Sequence, residues 1–162
     1  IMKAYSTCVG EGPFTVELFG EEAEALRKAG REYGAATGRP RRVGGFDAVA
    51  SRYGVRIQGA DELALTKLDV LSGMKKIPVC TAYRIDGKLT TKFPFGAALD
   101  RAEPVIEYVE GWDCDISGCR TKAELPVQAA SYIAYLEKLV DCPIRYVSVG
   151  AEREQYLLLK EA

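Results

Sequence analysis

The 162-residue sequence contains no histidine, which removes the commonest general base and the commonest transition-metal ligand. Any chemistry must be carried by other groups. Its five cysteines, Cys8, Cys80, Cys114, Cys119 and Cys142, are odd in number and form no CxxC pair. A complete disulfide framework is therefore excluded and reduced thiols are expected. The mixed stretch Trp112 to Cys119 offers two soft and two hard ligands without a histidine and matches no common metal site. No apolar run reaches the length that spans a bilayer, and the first residues lack the phases of a signal peptide. There is no excess of one charge either: the formal net charge is −1, so nothing pulls the chain toward nucleic acid or an acidic membrane. A cytoplasmic protein is expected. Also missing is GxxxxGK followed by Ser or Thr, the loop that cradles nucleotide phosphates. The opening Ile1-Met2-Lys3-Ala4 runs straight into a strand-like stretch and reads as a cut.

What is present suffices for one good core: hydrophobic residues make up 48% of the chain, and a single domain over residues 1–162 is the default. Met2 to Cys8 reads as a short strand before the turn Gly10-Glu11-Gly12-Pro13. From Glu17 to Arg31 acids precede bases, complementing a helix dipole, with Phe19, Ala23, Leu26 and Ala29 on one side and an end near Gly30. Phe46, Val49, Ala50 and Tyr53 have the spacing of another helical face, with Asp47 near its start. Leu63 to Gly73 reads as an apolar strand with polar residues emerging at its C-terminal end. Lys76 to Ile85 and Lys88 to Phe93 form a hairpin around Asp86-Gly87, and Val105 to Val109 adds a strand. Thr121 and Glu124 have capping-box spacing ahead of a helix with Ala130, Ile133, Ala134, Leu136 and Val140 as its stripe, stopped by Cys142-Pro143. Ile144 to Val147 and Gln155 to Lys160 are the last strands. Alternating strands and helices predict an α/β fold: a mostly parallel sheet flanked by helices, with an antiparallel hairpin excursion.

The functional signal concentrates in Gly34 to Arg42. Gly34 and Gly38 admit backbone angles closed to other residues, Arg39, Arg41 and Arg42 offer forked donors, and Pro40 stiffens the run. This is either a solvated basic loop or an anion site; the loop is expected to feed the following helix N-terminus, which favours the latter. A second candidate is Thr66-Lys67-Leu68-Asp69. The two oxygens of Asp69 can accept from the ring N–H and the exocyclic amine of guanine, an arrangement adenine does not offer, while the stem of Lys67 lies across the base and its ammonium stays in water. A strand end with a capping Asp is the plainer alternative.

Taken in order, Val9 to Phe14, Gly34 to Arg42, Thr66 to Leu71 and Ser148-Val149-Gly150 resemble the C-terminal part of adenylosuccinate synthetases, enzymes with a P-loop-NTPase-like architecture. The resemblance covers essentially the whole chain. It implies a GTP-dependent ligase of the AMP branch of purine biosynthesis that joins inosine monophosphate (IMP) and L-aspartate. It further implies that Val9 meets the IMP ribose, that Ala35, Ala36, Thr37, Gly38, Arg39, Pro40 and Arg41 hold aspartate and IMP, and that Arg41, Lys67, Leu68, Asp69, Ser148, Val149 and Gly150 hold GTP. The catalytic residues and the ligands of Mg2+ would lie outside this chain, which is expected to be inactive alone and part of a homodimer at full length. Three positions depart from the family's usual residues: Ala36 for a second threonine, Gly45 for a tryptophan, and Ala151-Glu152 for a Pro-Asp-like pair. A guanine-nucleotide-binding module without catalysis, or an oligomer scaffold, are the competing functions.

Overall fold

The computed structural model describes residues 1–159. In chain order the elements are β1 (Met2–Lys3), β2 (Ser6–Cys8), α1 (Gly20–Gly30), β3 (Arg42–Gly44), β4 (Phe46–Asp47), α2 (Ala48–Gln58), β5 (Leu63–Thr66), β6 (Lys76–Ile85), β7 (Lys88–Thr90), α3 (Ala97–Asp100), β8 (Glu103–Glu110), α4 (Val127–Val140), β9 (Ile144–Ser148) and β10 (Tyr156–Leu158). Short 3-10 turns occupy Leu68–Leu71 and Lys122–Glu124.

The first sheet runs β1-β5-β9-β10. Its first three strands are parallel and β10 closes it antiparallel, so the C-terminal ends of β1, β5 and β9 lie side by side along one edge. A second sheet pairs β4 parallel to β6 and sets both β7 and β8 antiparallel to β6. The antiparallel excursion is thus larger than the hairpin alone. β2 and β3 form a separate ribbon. The architecture is α/β with mixed sheets. Helix α2 packs on α4 and on β6 of the second sheet.

Most buried apolar residues form one cluster, including Leu65, Leu68, Leu71, Ile116, Tyr132, Leu136, Ile144 and Val147. A smaller one holds Val16, Val49, Cys80 and Tyr83. Burial pushes the Cys80 thiol up to about 12, the behaviour of an inert core cysteine.

Several elements sit differently from expectation. The buried face of α1 is Ala23, Leu26 and Gly30, whereas Phe19 is 77% exposed at the N-cap and Ala29 is also exposed. The helix is turned so that Gly30 lies against Tyr5, whose hydroxyl would collide with a Cβ there. The arginine loop feeds β3 instead of a helix N-terminus. The N-terminus of α2 is occupied from within: the Asp47 carboxylate accepts from the Ala50 N–H at 3.0 Å and also from Thr15 and Tyr83. Glu124 accepts from the Thr121 N–H, but the motif caps the 3-10 turn, and α4 begins after Pro126 with Ala129, Tyr132, Ile133, Leu136 and Val140 buried; Ala134 is exposed. The strand expected over Gln155 to Lys160 is β10, and Lys160 lies outside the described residues.

Candidate functional site

Each parallel strand of the first sheet hands polar groups to its C-terminal end, the edge where open α/β sheets bind ligands. β1 ends in Lys3 and leads to Tyr5, β5 leads to Lys67 and Asp69, and β9 ends in Ser148 before Val149-Gly150. Lys67 turns sharply after β5 with φ 62°, a left-handed conformation unusual for a long side chain. Its ammonium donates to the Gly30 carbonyl at 2.6 Å and to Glu32 Oε1 at 3.1 Å. The ammonium expected in water is therefore docked on the protein.

Glu32, just past the end of α1, is the centre of this edge. Its side chain is fully buried. Oε1 accepts from Lys3 Nζ at 2.9 Å, from the Tyr5 hydroxyl and from Lys67, and Oε2 accepts from Arg41 Nη1 at 2.8 Å. Burial pushes its carboxyl up, and the four donors outweigh that, holding it down at about 2. Burial, and then the contact with Glu32, push the Tyr5 phenol up. A buried anion with three cations and a hydroxyl around it is a fully satisfied network, the condition under which such groups are tolerated. Sequence reasoning missed Glu32, Lys3 and Tyr5, because nothing local marks an acid beyond a helix end as buried.

The three arginines have separate roles. Arg42 is structural: its Nε and Nη2 donate to Glu17 Oε2 at 2.9 and 2.6 Å, and Nη1 donates to the Gly10 and Gly12 carbonyls at 3.0 and 2.6 Å. It thereby ties the turn that carries Val9, itself 81% exposed, to the base of the arginine loop. Arg41 is drawn inward to Glu32. Arg39 is exposed and its guanidinium has no hydrogen bond or ion pair among the described residues. The loop between them is closed by Gly34 N–H to the Arg39 carbonyl and Gly38 N–H to the Gly34 carbonyl, both 2.8 Å, with a bridge from Tyr33 to Pro40. Ala35, Ala36, Thr37, Gly38 and Pro40 are exposed at its tip, and Gly38, at φ 65°, takes a conformation that suits glycine.

Asp69 lies two residues beyond Lys67, and its Oδ1 is buried with no hydrogen-bond partner among the described residues. Burial raises its pKa, and nearby Asp115 adds to the rise. The Leu68 and Val149 side chains are in the core, so these two positions face any ligand only through the backbone. Ser148 Oγ donates to the Gly150 carbonyl at 2.9 Å, and the Val149 N–H donates to the Gln155 carbonyl at 2.9 Å. Gln155 reaches across to the Ser117 carbonyl at 3.4 Å. A Cβ at Gly150 would collide with the Gln155 side chain. Gly45 is equally constrained: a Cβ there would stand 2.6 Å from the Pro78 carbonyl oxygen, so a tryptophan needs that backbone moved. Among the described residues no group of three or more Cys, Asp or Glu side chains is placed to hold a metal ion, and no helix is long and apolar enough to cross a membrane.

Arg41 and Lys67, from the two candidate stretches, thus converge on one buried carboxylate, with Arg39 and Asp69 each two positions away in sequence. Comparison with known proteins gives the family. The adenylosuccinate synthetase family model matches residues 1–157. The chain is 50% identical over 161 residues to adenylosuccinate synthetase of Pelobacter propionicus, covering 99% of this chain and 37% of that protein. It is 50% identical over 160 residues to that of Geobacter sulfurreducens, covering 98% and 37%. The fold matches the fully ligated adenylosuccinate synthetase of Plasmodium falciparum with a TM-score of 0.93 at 39% identity, over 98% of this chain and 39% of that one. The chain therefore spans well under half the length of the relatives it matches. It belongs to the adenylosuccinate synthetase family.

Proposed function

We propose that this chain supplies the guanine-, aspartate- and IMP-binding residues of a GTP-dependent ligase that joins IMP and L-aspartate to form adenylosuccinate. GTP first phosphorylates the purine 6-oxygen, and the aspartate amine then displaces that phosphate. Asp69 takes the guanine base, with Lys67 and the backbone of Leu68 and Ser148 to Gly150 around it. Val9 meets the IMP ribose. The loop from Ala35 to Arg41 holds aspartate, Arg39 also reaching the IMP phosphate and Arg41 the GTP side. Forked donors suit a dicarboxylate and phosphates alike, and they neutralise charge that opposes attack. With Ala36 in place of a second threonine, Thr37 or a backbone N–H serves the aspartate.

The observation that carries this reading is Asp69 Oδ1, buried and without a hydrogen-bond partner among the described residues. A buried carboxylate oxygen costs stability unless donors reach it, and guanine brings two. The same reading assigns Mg2+ to the GTP phosphates with ligands outside this chain. It makes this chain the portion that follows the phosphate-binding loop, and the full-length protein a cytoplasmic homodimer. Phosphate release from GTP by residues 1–162 alone, with IMP and aspartate present, is expected at background, and turnover above it would contradict the division of labour.

The test of the base assignment is Asp69→Asn in the full-length protein. An amide oxygen accepts and its nitrogen donates, which mismatches the guanine amine and suits the 2-oxygen of xanthine. The expected result is a fall in kcat/KM for GTP of roughly 10- to 100-fold with preference moving toward xanthosine triphosphate. Unaltered selectivity would sink the assignment. Wild-type binding of GDP without any synthetase turnover would favour a non-catalytic guanine-nucleotide module.

A further inference from the structure

We infer that Glu32 is a positioning residue that couples the guanine side of the site to the aspartate side, by holding Lys67 and Arg41 on the two oxygens of one buried carboxylate. The inference rests on the proposed function for what each end binds, but its geometry stands by itself. Lys67 follows β5 and Arg41 closes the arginine loop; among the described residues they share no direct hydrogen bond. Both meet Glu32: Lys67 Nζ at 3.1 Å from Oε1 and Arg41 Nη1 at 2.8 Å from Oε2. Lys3 and Tyr5 fill the remaining capacity of Oε1, so the carboxylate is held from β1 and cannot swing toward one partner alone. The backbone adds a second tie, since the Arg41 N–H donates to the Glu32 carbonyl at 2.9 Å and Arg27 Nε donates to the Arg41 carbonyl at 2.9 Å.

Three cations around one acid leave the cluster net positive, and Lys67 and Arg41 remain about one-third exposed at 35% and 34% of their side-chain surface. Each therefore presents a face to a ligand while its other donors are fixed. A shift of Lys67 on the base side changes the field and the free capacity at Oε1, and Arg41 senses it through Oε2 of the same group. Coupling between bound ligands is reciprocal by linkage. Two sites whose cations share one rigid anion are a physical route for it.

The experiment uses the full-length protein and steady-state KM for L-aspartate at saturating GTP and IMP. Lys67→Met, on the base side, is expected to raise the aspartate KM roughly 10-fold, the size of one charge-assisted hydrogen bond partly lost. Lys67→Arg, which keeps a cation on Glu32, is expected to restore it to within about threefold by the same reasoning. Glu32→Gln is expected to raise the aspartate KM comparably, and Lys67→Met added to Glu32→Gln to change it by less than about twofold, because the route is already cut. An aspartate KM that Lys67→Met leaves unmoved, or effects that multiply in the double variant, would overturn the coupling. If Glu32→Gln lowers the thermal midpoint too far to assay, the Lys67→Met and Lys67→Arg pair decides alone. Failure of the underlying reading looks different: wild-type protein would then show no GTP-dependent turnover and no GDP heat by calorimetry.

Discussion

A carboxylate with no exposed surface persists only if donors replace the water it has lost, and Glu32 has four of them. That arrangement has a pH signature. Burial alone would raise its pKa, but the donors from Tyr5, Lys3, Arg41 and Lys67 bring it from 4.5 down to about 2. Because the folded value lies below the unfolded one, the native state holds the proton less readily. The contribution of Glu32 is complete above about pH 4.5 and is lost as pH falls toward 2. Asp69, whose pKa is raised by burial, works in the opposite direction and opposes folding as pH rises through its range. Denaturant midpoints measured from pH 6 to pH 2 should fall more steeply for wild-type than for Glu32→Gln, and parallel curves would remove Glu32 from the account. At this scale the sequence was half legible. Three arginines in four positions single out the loop as a candidate anion site, but their division into one exposed, one inward and one structural side chain depends on Glu17 and Glu32. The partners of Glu32 at Lys3, Tyr5 and Lys67 lie 29, 27 and 35 positions away, beyond any local pattern.

Elements were legible where local chemistry decides them. Asp86 and Gly87 both take positive φ, 49° and 79°, and Ile85 pairs with Lys88; this is the tight hairpin an Asp-Gly pair prefers. The two-residue strand β4 and three-residue β3 were not legible, because Phe46 and Asp47 continue the helical spacing of α2 while pairing with Val79 and Cys80 decides their state. In the sequence Cys142-Pro143 marks the end of α4, yet the turn is made one residue earlier, at Asp141 with φ 56°. A side chain in the left-handed region costs stability that glycine avoids, and an acid at a helix C-terminus faces the negative end of the dipole. Asp141→Gly is therefore expected to stabilise the chain by about 0.5–1 kcal/mol, read as a raised urea midpoint with unchanged slope. A lowered midpoint would mean that the Asp141 side chain supports the turn in a way its backbone angles do not show.

At the scale of the molecule, the alternation of strands and helices predicts the parallel edge, but not the way its first strand is held. β1 is only Met2–Lys3, paired on one side with β5, and it must present Lys3 and Tyr5 to Glu32. The missing support comes from far along the chain. The buried Tyr132 hydroxyl on α4 donates to the Ala4 carbonyl at 2.7 Å, across 128 positions, while the Ala4 N–H donates to the Thr66 carbonyl at 2.8 Å. Trp112 stacks obliquely on Tyr132 with ring centroids 6.2 Å apart and donates to Ser72, which braces the same helix against the loop beyond β5. Tyr132→Phe keeps the packing and leaves the Ala4 carbonyl without its donor, a loss of about 1–2 kcal/mol for a buried acceptor. In the full-length protein the KM for GTP should move by less than about threefold, since Lys3 and Tyr5 keep their own bonds to Glu32 and only one distant hydrogen bond is lost. A larger change in KM than in stability would mean that α4, through this one hydroxyl, sets the position of the whole edge on which Lys67 and Arg41 meet Glu32.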